Sequence, residues 1–480
     1  MDRKEVLDKV IDLSFLSKYY EDLYDVLWKV YEGKKATPSD YKNTHIGLFN
    51  VPCNGFGDII LCKTFYDYLK EWYPGINISI CTTSPTKYND LGIKGKIYTL
   101  TNKQKGGLTE CITFDKLKFV GKKITFDIMI VVPIINQMFE IKQFRKLIPY
   151  AKISNTFTMS EYNGDFPPYT FPIGVGKENI GIMINNFKHK KQTLLKKPYA
   201  LVYIAQGIGH DNYCFYSYLE MICKKYSKKH NTFQVVVPGW IGEDLMYYPP
   251  FIQKVKKIVK PYYNTVTLKV KGEPDVILVD SPVKDKQTTR SRSRSRRRVR
   301  SRVRTRSRVR ARSRRRRRTR RETKQGGGDN ESSLIIRADI LPQKRDVFIS
   351  LMKDSVEDIL VTGDQSITDV ISCCRNHKQI WYQIAPWKKD FATNMFKELP
   401  NKYYQTFKTS CGTLSSVKLT IDWKSFINEY DFSTRGKTRM DAILLSHKNS
   451  NKVTEEIVNI IETSRRVDTA VDKFKKLIID

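Results

Sequence analysis

Histidine is scarce in this chain, and the cysteine spacings that build metal centres are missing. Six histidines and nine cysteines are scattered over 480 residues, no CxxC pair occurs, and Cys373 and Cys374 are merely vicinal. A structural zinc site needs clustered nitrogen and sulfur ligands, so no metal is expected. Cysteines without a pairing framework fit a reduced, intracellular setting better than secretion. A long apolar run is lacking too. The longest, 124–135, is broken by Asp127 and Pro133 and falls far short of the roughly 20 residues of a membrane span. The charged start, Met1 to Glu5, leads into an amphipathic pattern, so no signal peptide is expected and the chain reads as soluble. One segment lacks acids altogether: residues 290–321 hold 20 arginines and no Asp or Glu. Of the net charge of +35 this block supplies 20, leaving +15 elsewhere, where 9 arginines stand against 56 lysines. An Arg-rich block in a Lys-rich chain suggests an insertion, and its charge does not belong to the folded part.

What is present is an alternation of strands and helices in two sets. The length fits two domains with additions. Apolar residues from Val6 to Val30 recur at three- and four-residue steps, predicting a helix over 5–32 that Gly33 ends. The first set then reads as strand 46–51, glycine turn 52–58, helix 59–72, the stop Pro74-Gly75 and strand 76–81. That is a βαβ unit with parallel strands. Further strands are expected at 97–100 and 126–132. The second set begins after Lys197-Pro198 with strand 199–204, glycine turn 206–211, helix Tyr213–Tyr226 and strand 233–237. It resumes with strand 334–340, helix 345–355, strand Asp358–Thr362, helix 366–374, strand 379–384 and helix 388–399. A helix is expected over 453–478.

The implied fold class is α/β: two Rossmann-like doubly wound domains facing across a cleft, the default place for a ligand. The expected organisation is an N-terminal helical segment at 1–44 and a first Rossmann-like domain at 45–195. A second such domain spans 196–283 and 332–452, with C-terminal helices at 453–480. Residues 284–331, rich in Arg, Ser and Gly, cannot bury apolar area and are expected to be a disordered insertion, tolerable if it leaves and rejoins a surface loop.

Three turns are candidates for chemistry. In the first, Asn54, Gly55 and Gly57 allow a sharp turn and close approach to a ligand. Asp58 follows at the start of a helix, placed either to take a proton from a hydroxyl or simply to cap the helix. The turn has neither the third glycine of a dinucleotide fingerprint nor the Lys-Ser/Thr of a P-loop. The second turn, Gly207, Gly209 and His210, could cradle a phosphate or serve only as a tight connection. The third is Gly363-Asp364-Gln365-Ser366. A helix start offers amide groups and a positive dipole end to an anion, and Asp364 and Gln365 are placed to read hydroxyls attached to it. Tyr382 and Trp387, near the end of the next strand, are suited to base stacking or to core packing.

At these residues the chain resembles GT-B-fold glycosyltransferases, nearest to the heptosyltransferase-like family nine. The likeness rests on Gly57-Asp58-Ile59-Ile60-Leu61, on Trp72-Tyr73-Pro74-Gly75, on the strand 76–81, and on Thr362-Gly363-Asp364-Gln365-Ser366. It spans roughly 45–400. The family histidine beside the later turn has no counterpart here, and Gln206 to His210 replace its lysine-bearing phosphate loop. The resemblance implies a nucleotide-sugar as donor substrate, no other cofactor, an acceptor hydroxyl of unknown identity, a metal-independent reaction, and Asp58 as the base.

A second function class is open. Arg290, Arg296, Arg297, Arg298 and Arg314, Arg315, Arg316, Arg317 and Arg318 would hold nucleic acid without sequence preference, with residues 287–325 as the contact segment. The two-domain part would then be a non-catalytic scaffold. The same block could also be read as a nuclear-import signal, or as a repeat expansion with no selected role. A third reading is a non-catalytic or epimerase-like relative of the same two-domain fold. The Lys, Asn, Ile and Tyr bias fits an AT-rich genome such as that of a large DNA virus, with the host cytoplasm as the expected location.

Overall fold

The structure is a computed structural model. It describes residue 31 and the stretches 33–52, 56–93, 95–102, 117–134, 151–162, 171–177, 179–184, 193–206, 213–280, 332–374, 378–385, 389–398, 404–418 and 423–449. The helices expected over 5–32 and 453–478, and the insertion 284–331, lie outside these residues.

Two mixed sheets dominated by parallel pairs carry the fold. The first holds β1 (His45–Asn50), β2 (Asn77–Thr82), β3 (Lys96–Asn102), β4 (Leu117–Phe119), β5 (Ile124–Ile134) and β6 (Ala151–Ser160) in the order β4-β3-β2-β1-β5-β6. All neighbours are parallel except β4 against β3. Helices α1 (Gly57–Trp72) and α2 (Pro85–Asp90) connect its early strands. Strand β1 is buried on both faces: Ile46 and Leu48 enter one core, Phe49 and Val51 another. Gly47 is needed there, because a Cβ would fall 2.9 Å from the side chains of Met129 and Phe126 on β5.

The second sheet holds β7 (Tyr199–Tyr203), β8 (Thr232–Val236), β9 (Thr265–Lys269), β10 (Val276–Asp280), β11 (Ser333–Arg337), β12 (Asp358–Thr362), β13 (Gln379–Gln383), β14 (Tyr404–Thr409) and β15 (Gly412–Lys418). Its order is β10-β9-β11-β8-β7-β12-β13-β15-β14. The run from β9 to β13 is parallel, and β10, β15 and β14 each pair antiparallel with a neighbour. Helices α3 (Tyr213–Tyr226), α4 (Gly239–Tyr247), α5 (Pro249–Val259), α6 (Arg345–Asp354), α7 (Asp364–Cys374) and α8 (Lys389–Glu398) accompany these strands. The side chains alternate as a two-sided sheet requires. Leu201, Ile359, Val361, Ile380 and Tyr382 face the core that also takes α6, α7 and α8. Val202, Leu360 and Trp381 face the one that takes α3.

Several elements differ from the sequence reading. Helices α1 and α7 each begin two residues earlier than expected, at Gly57 and Asp364, because an acid in the first turn is as favourable as one at the cap. Strands β4, β6 and β9, the β14–β15 hairpin and helices α4 and α5 were not anticipated. In β6 polar residues interleave with apolar ones without turn signals. In the hairpin β14 is largely exposed, and β15 buries Leu414 and Val417 without forming an apolar run.

Helix α9 (Phe432–Lys448) returns to the first sheet's helices. Phe432 packs against Phe65, Tyr68, Trp72 and Phe171, with ring centroids 5.7–6.4 Å away. Backbone bonds join Ile182 to Tyr430 and Phe432, and the Tyr73 hydroxyl donates to Asp441 at 2.8 Å. The apolar core containing Phe65 and Phe432 is continuous with the one beneath α6, α7 and α8.

The chain leaves for the Arg-rich insertion after β10 and returns at β11. Asp280 and Ser333 both pair with Thr265 of β9, so departure and return lie two strand spacings apart, roughly 10 Å.

Candidate functional site

In each sheet the chain crosses from one side of the sheet's first strand to the other. In the first, β2 and β3 extend one way from β1, and β5 and β6 the other. In the second, β8, β11 and β9 extend one way from β7, and β12 and β13 the other. Ligands of doubly wound sheets bind beyond the carboxyl ends of the strands at such a crossing. The carboxyl end of β1 leads to Gly57 and Asp58, and that of β12 leads to Gly363 and Asp364. Both stretches singled out in the sequence therefore stand at switch points.

At the first, Asn50 ends β1 completely buried. Its amide donates to Val132 O at 2.7 Å, bridging β1 and β5, and to Asp58 O at 3.2 Å; its oxygen accepts from the Tyr88 hydroxyl at 2.6 Å. This network holds the opening turn of α1 against the sheet. Asp58 is half-buried in that first turn, where a negative side chain is favoured by the helix dipole. Cys62 lies one turn on, its thiol pushed up to about 12, chiefly by burial. Phe56, before the helix, is 57% exposed, with the Lys87 ammonium 4.7 Å from its ring centre.

At the second, Thr362 ends β12 and ties its hydroxyl to Gln383 O at 3.1 Å. Gly363 has φ +75°, a conformation that strains any side-chain-bearing residue. It turns the chain straight into α7, whose Asp364, Gln365 and Ser366 are all buried. The Asp364 carboxylate accepts from the Gln365 backbone N–H at 2.7 Å. The Gln365 amide donates to Asp369 at 3.0 Å, and Asp369 takes a two-pronged contact from Arg345 of α6 at 2.7 and 3.0 Å. Gln365 is thus held by a charged pair. Beside it the end of β7 is pinned to β13, as Ala205 N donates to the Gln383 side chain at 3.0 Å. Trp240, at the start of α4, donates its indole N–H to Ile204 O at 3.4 Å.

The two switch points meet. Helices α1 and α7 pack together, and a Cβ on Gly57 would stand 3.8 Å from Cβ of Gln365. The structure so brings Gly57, Asp58, Gly363, Asp364, Gln365 and Ser366 to one seam. The remaining sequence candidates, Asn54, Gly55, Gly207, Gly209, His210 and the arginines of 290–321, lie outside the described residues, as does Trp387. Among the described residues no group of three or more His, Cys, Asp or Glu could hold a metal ion, and no helix is long and apolar enough to cross a membrane. Sequence reasoning passed over Asn50, Tyr162 and the Arg345–Asp369 pair. A buried Asn closing an apolar strand was the one readable signal.

No protein-family model matches this chain, and no curated protein matches it. Among solved structures it is similar to the glycotransferase of kitacinnamycin, at 8% identity and TM-score 0.29, covering 90% of this chain and 98% of that one. It is also similar to histidinol dehydrogenase from Elizabethkingia anophelis, at 10% identity and TM-score 0.17, covering 91% and 79%. At such TM-scores neither likeness bears on function, and the geometry of the seam has to carry the reading.

Proposed function

We propose that this protein transfers a sugar from a nucleotide-sugar to an acceptor hydroxyl, with its two sheets arranged as in GT-B enzymes. The observation that carries this is the meeting of two switch-point helix starts, each bearing a carboxylate, from two different sheets. A transfer between two substrates needs such a bipartite seam: one side holds the donor, and the other brings a base to the acceptor.

Asp58 is the base in this reading. It takes the proton of the acceptor hydroxyl as that oxygen bonds to the anomeric carbon and the bond to the diphosphate breaks. Asp364 and Gln365 read hydroxyls of the donor sugar, and Ser366 adds a neutral hydroxyl. The Asp364 carboxylate occupies the Gln365 amide itself and would repel a neighbouring diphosphate, so we assign the diphosphate to the side of Gly207, Gly209 and His210. As the resemblance to GT-B enzymes implies, the reaction uses no bound metal or further cofactor. Packing of α1 on α7 supports a seam that excludes water around the reacting atoms.

The test is release of nucleoside diphosphate from a panel of nucleotide-sugars, with and without hydroxyl acceptors. Acceptor-dependent release from one donor is the expected result. Absence of release across the panel, together with no thermal stabilisation by any nucleotide, would overturn the reading.

A further inference from the structure

Tyr382 is the polar group at this seam that the proposed mechanism leaves unused. It lies one residue from the end of β13, opposite Val361 in register, on the sheet face covered by α7. It is 4% exposed, and its hydroxyl has no hydrogen-bond partner among the described residues. Other buried tyrosines have one: Tyr88 donates to Asn50, Tyr199 to Leu351 O, Tyr218 to Asp358 O and Tyr226 to the Asp358 carboxylate. Tyr263 is also unpartnered, but it lies in the apolar core beside α3, away from the seam.

Burial first, then the nearby carboxylates of Asp364 and Glu161, raise the Tyr382 hydroxyl far above the ordinary phenol range, so it remains an O–H donor. Glu161 directly follows β6 of the first sheet. The next residue, Tyr162, also feels Asp364, and its ring lies 5.5 Å from Phe391 of α8. Tyr382 thus stands on the face that α7 covers, opposite Val361, which lies three residues before the Asp364 that starts this helix. The Asp364 and Glu161 carboxylates, one following a strand of each sheet, both act on its hydroxyl.

This combination selects a ligand. Two carboxylates repel an anion and accept hydrogen bonds, while the phenol donates one. A group that both donates and accepts, repeated at close spacing, satisfies all three. We propose that Tyr382, with Asp364 and Glu161, forms a subsite for the hydroxyl groups of a carbohydrate ring. Its role as the donor-sugar subsite rests on the function proposed above. Tyr382 is then a specificity-determining residue, because a site with a buried polar group discriminates strongly against ligands that cannot pair with it.

The experiment compares wild type with Tyr382→Phe in two arms: saturation-transfer NMR with free monosaccharides, and calorimetry with nucleotide-sugars against the bare nucleoside diphosphates. Since the hydroxyl makes no bond among the described residues, the Phe variant should fold normally, and a denaturation curve checks this. The expected result is loss of the monosaccharide signal and roughly tenfold weaker nucleotide-sugar binding, with nucleoside diphosphate binding unchanged. Monosaccharide binding that Tyr382→Phe abolishes, in a protein that binds no nucleotide, would uphold the subsite and sink the nucleotide-sugar reading. Equal binding by both proteins in both arms would overturn the subsite and leave Tyr382 with a bound water only.

Discussion

Among the described residues, the buried charges at the amino ends of β12 and β13 are answered, whereas near the carboxyl ends the buried Tyr382 hydroxyl is not. Asp358 opens β12 completely buried and accepts from Lys225 and Tyr226, both at 2.6 Å, and from the indole of Trp381 at 2.9 Å. Lys378, just before β13 and 3% exposed, donates to Ser355 O, to the Ser355 hydroxyl at 3.0 Å and to Val356 O at 3.0 Å. The opposite ends carry Gly363 in a left-handed conformation, a first-turn Asp364 and the unpartnered Tyr382 hydroxyl. A fold keeps unsatisfied groups and special backbone where they serve something other than stability. The insertion also joins at the amino end, since β11 starts and the antiparallel β10 finishes there. Stability and attachment lie at one end of the sheet, the candidate site at the other.

Substitutions can break this contrast. The largest effect should come from Asp358→Ala, which leaves Tyr226 and Trp381 without their acceptor and Lys225 with Glu357 alone. A loss of about 3 kcal/mol is expected in urea unfolding, and a loss below 1 kcal/mol would show that the amino end is not where stability resides. Gly363→Ala should cost about 1–2 kcal/mol, the penalty for a Cβ in a left-handed conformation. It should introduce no clash, because a Cβ there would meet no atom within 4 Å. A cost near zero would mean that the turn relaxes to another backbone. Replacing 284–331 by a short Gly-Ser linker should change stability by less than about 1 kcal/mol, as loop-closure entropy depends weakly on length. Loss of cooperative unfolding would show that the segment takes part in the fold. Smallest of all, Tyr382→Phe should leave the unfolding midpoint unchanged within error or raise it slightly, whereas a clear drop would reveal a hidden partner for the hydroxyl.

The same contrast explains what the sequence could tell. Strand–glycine–helix transitions at Gly57 and Gly363 are legible because backbone chemistry and apolar periodicity are local. Tyr213–Tyr226 and Asp358–Thr362 fall where periodicity puts them. Asp58 and Asp364 were readable as acids at helix starts, yet nothing local says that α1 and α7 meet. That follows from the long-range packing that also brings α9 back to Phe65 and Trp72. Tyr382 read only as an aromatic close to a strand end. Its missing partner is a property of the packed neighbourhood and has no sequence signature. The hairpin β14–β15 carries little pattern for the converse reason, since β14 is largely exposed and only Leu414 and Val417 of β15 are buried apolar residues.

The account turns on Asp58 as the base at the seam, and Asp58→Asn tests it most directly. Nucleotide-sugar affinity and turnover should be measured for the variant and for wild type under the same conditions. Unchanged donor affinity with transfer reduced by about 100- to 10,000-fold is the predicted result. Transfer at the wild-type rate would contradict it.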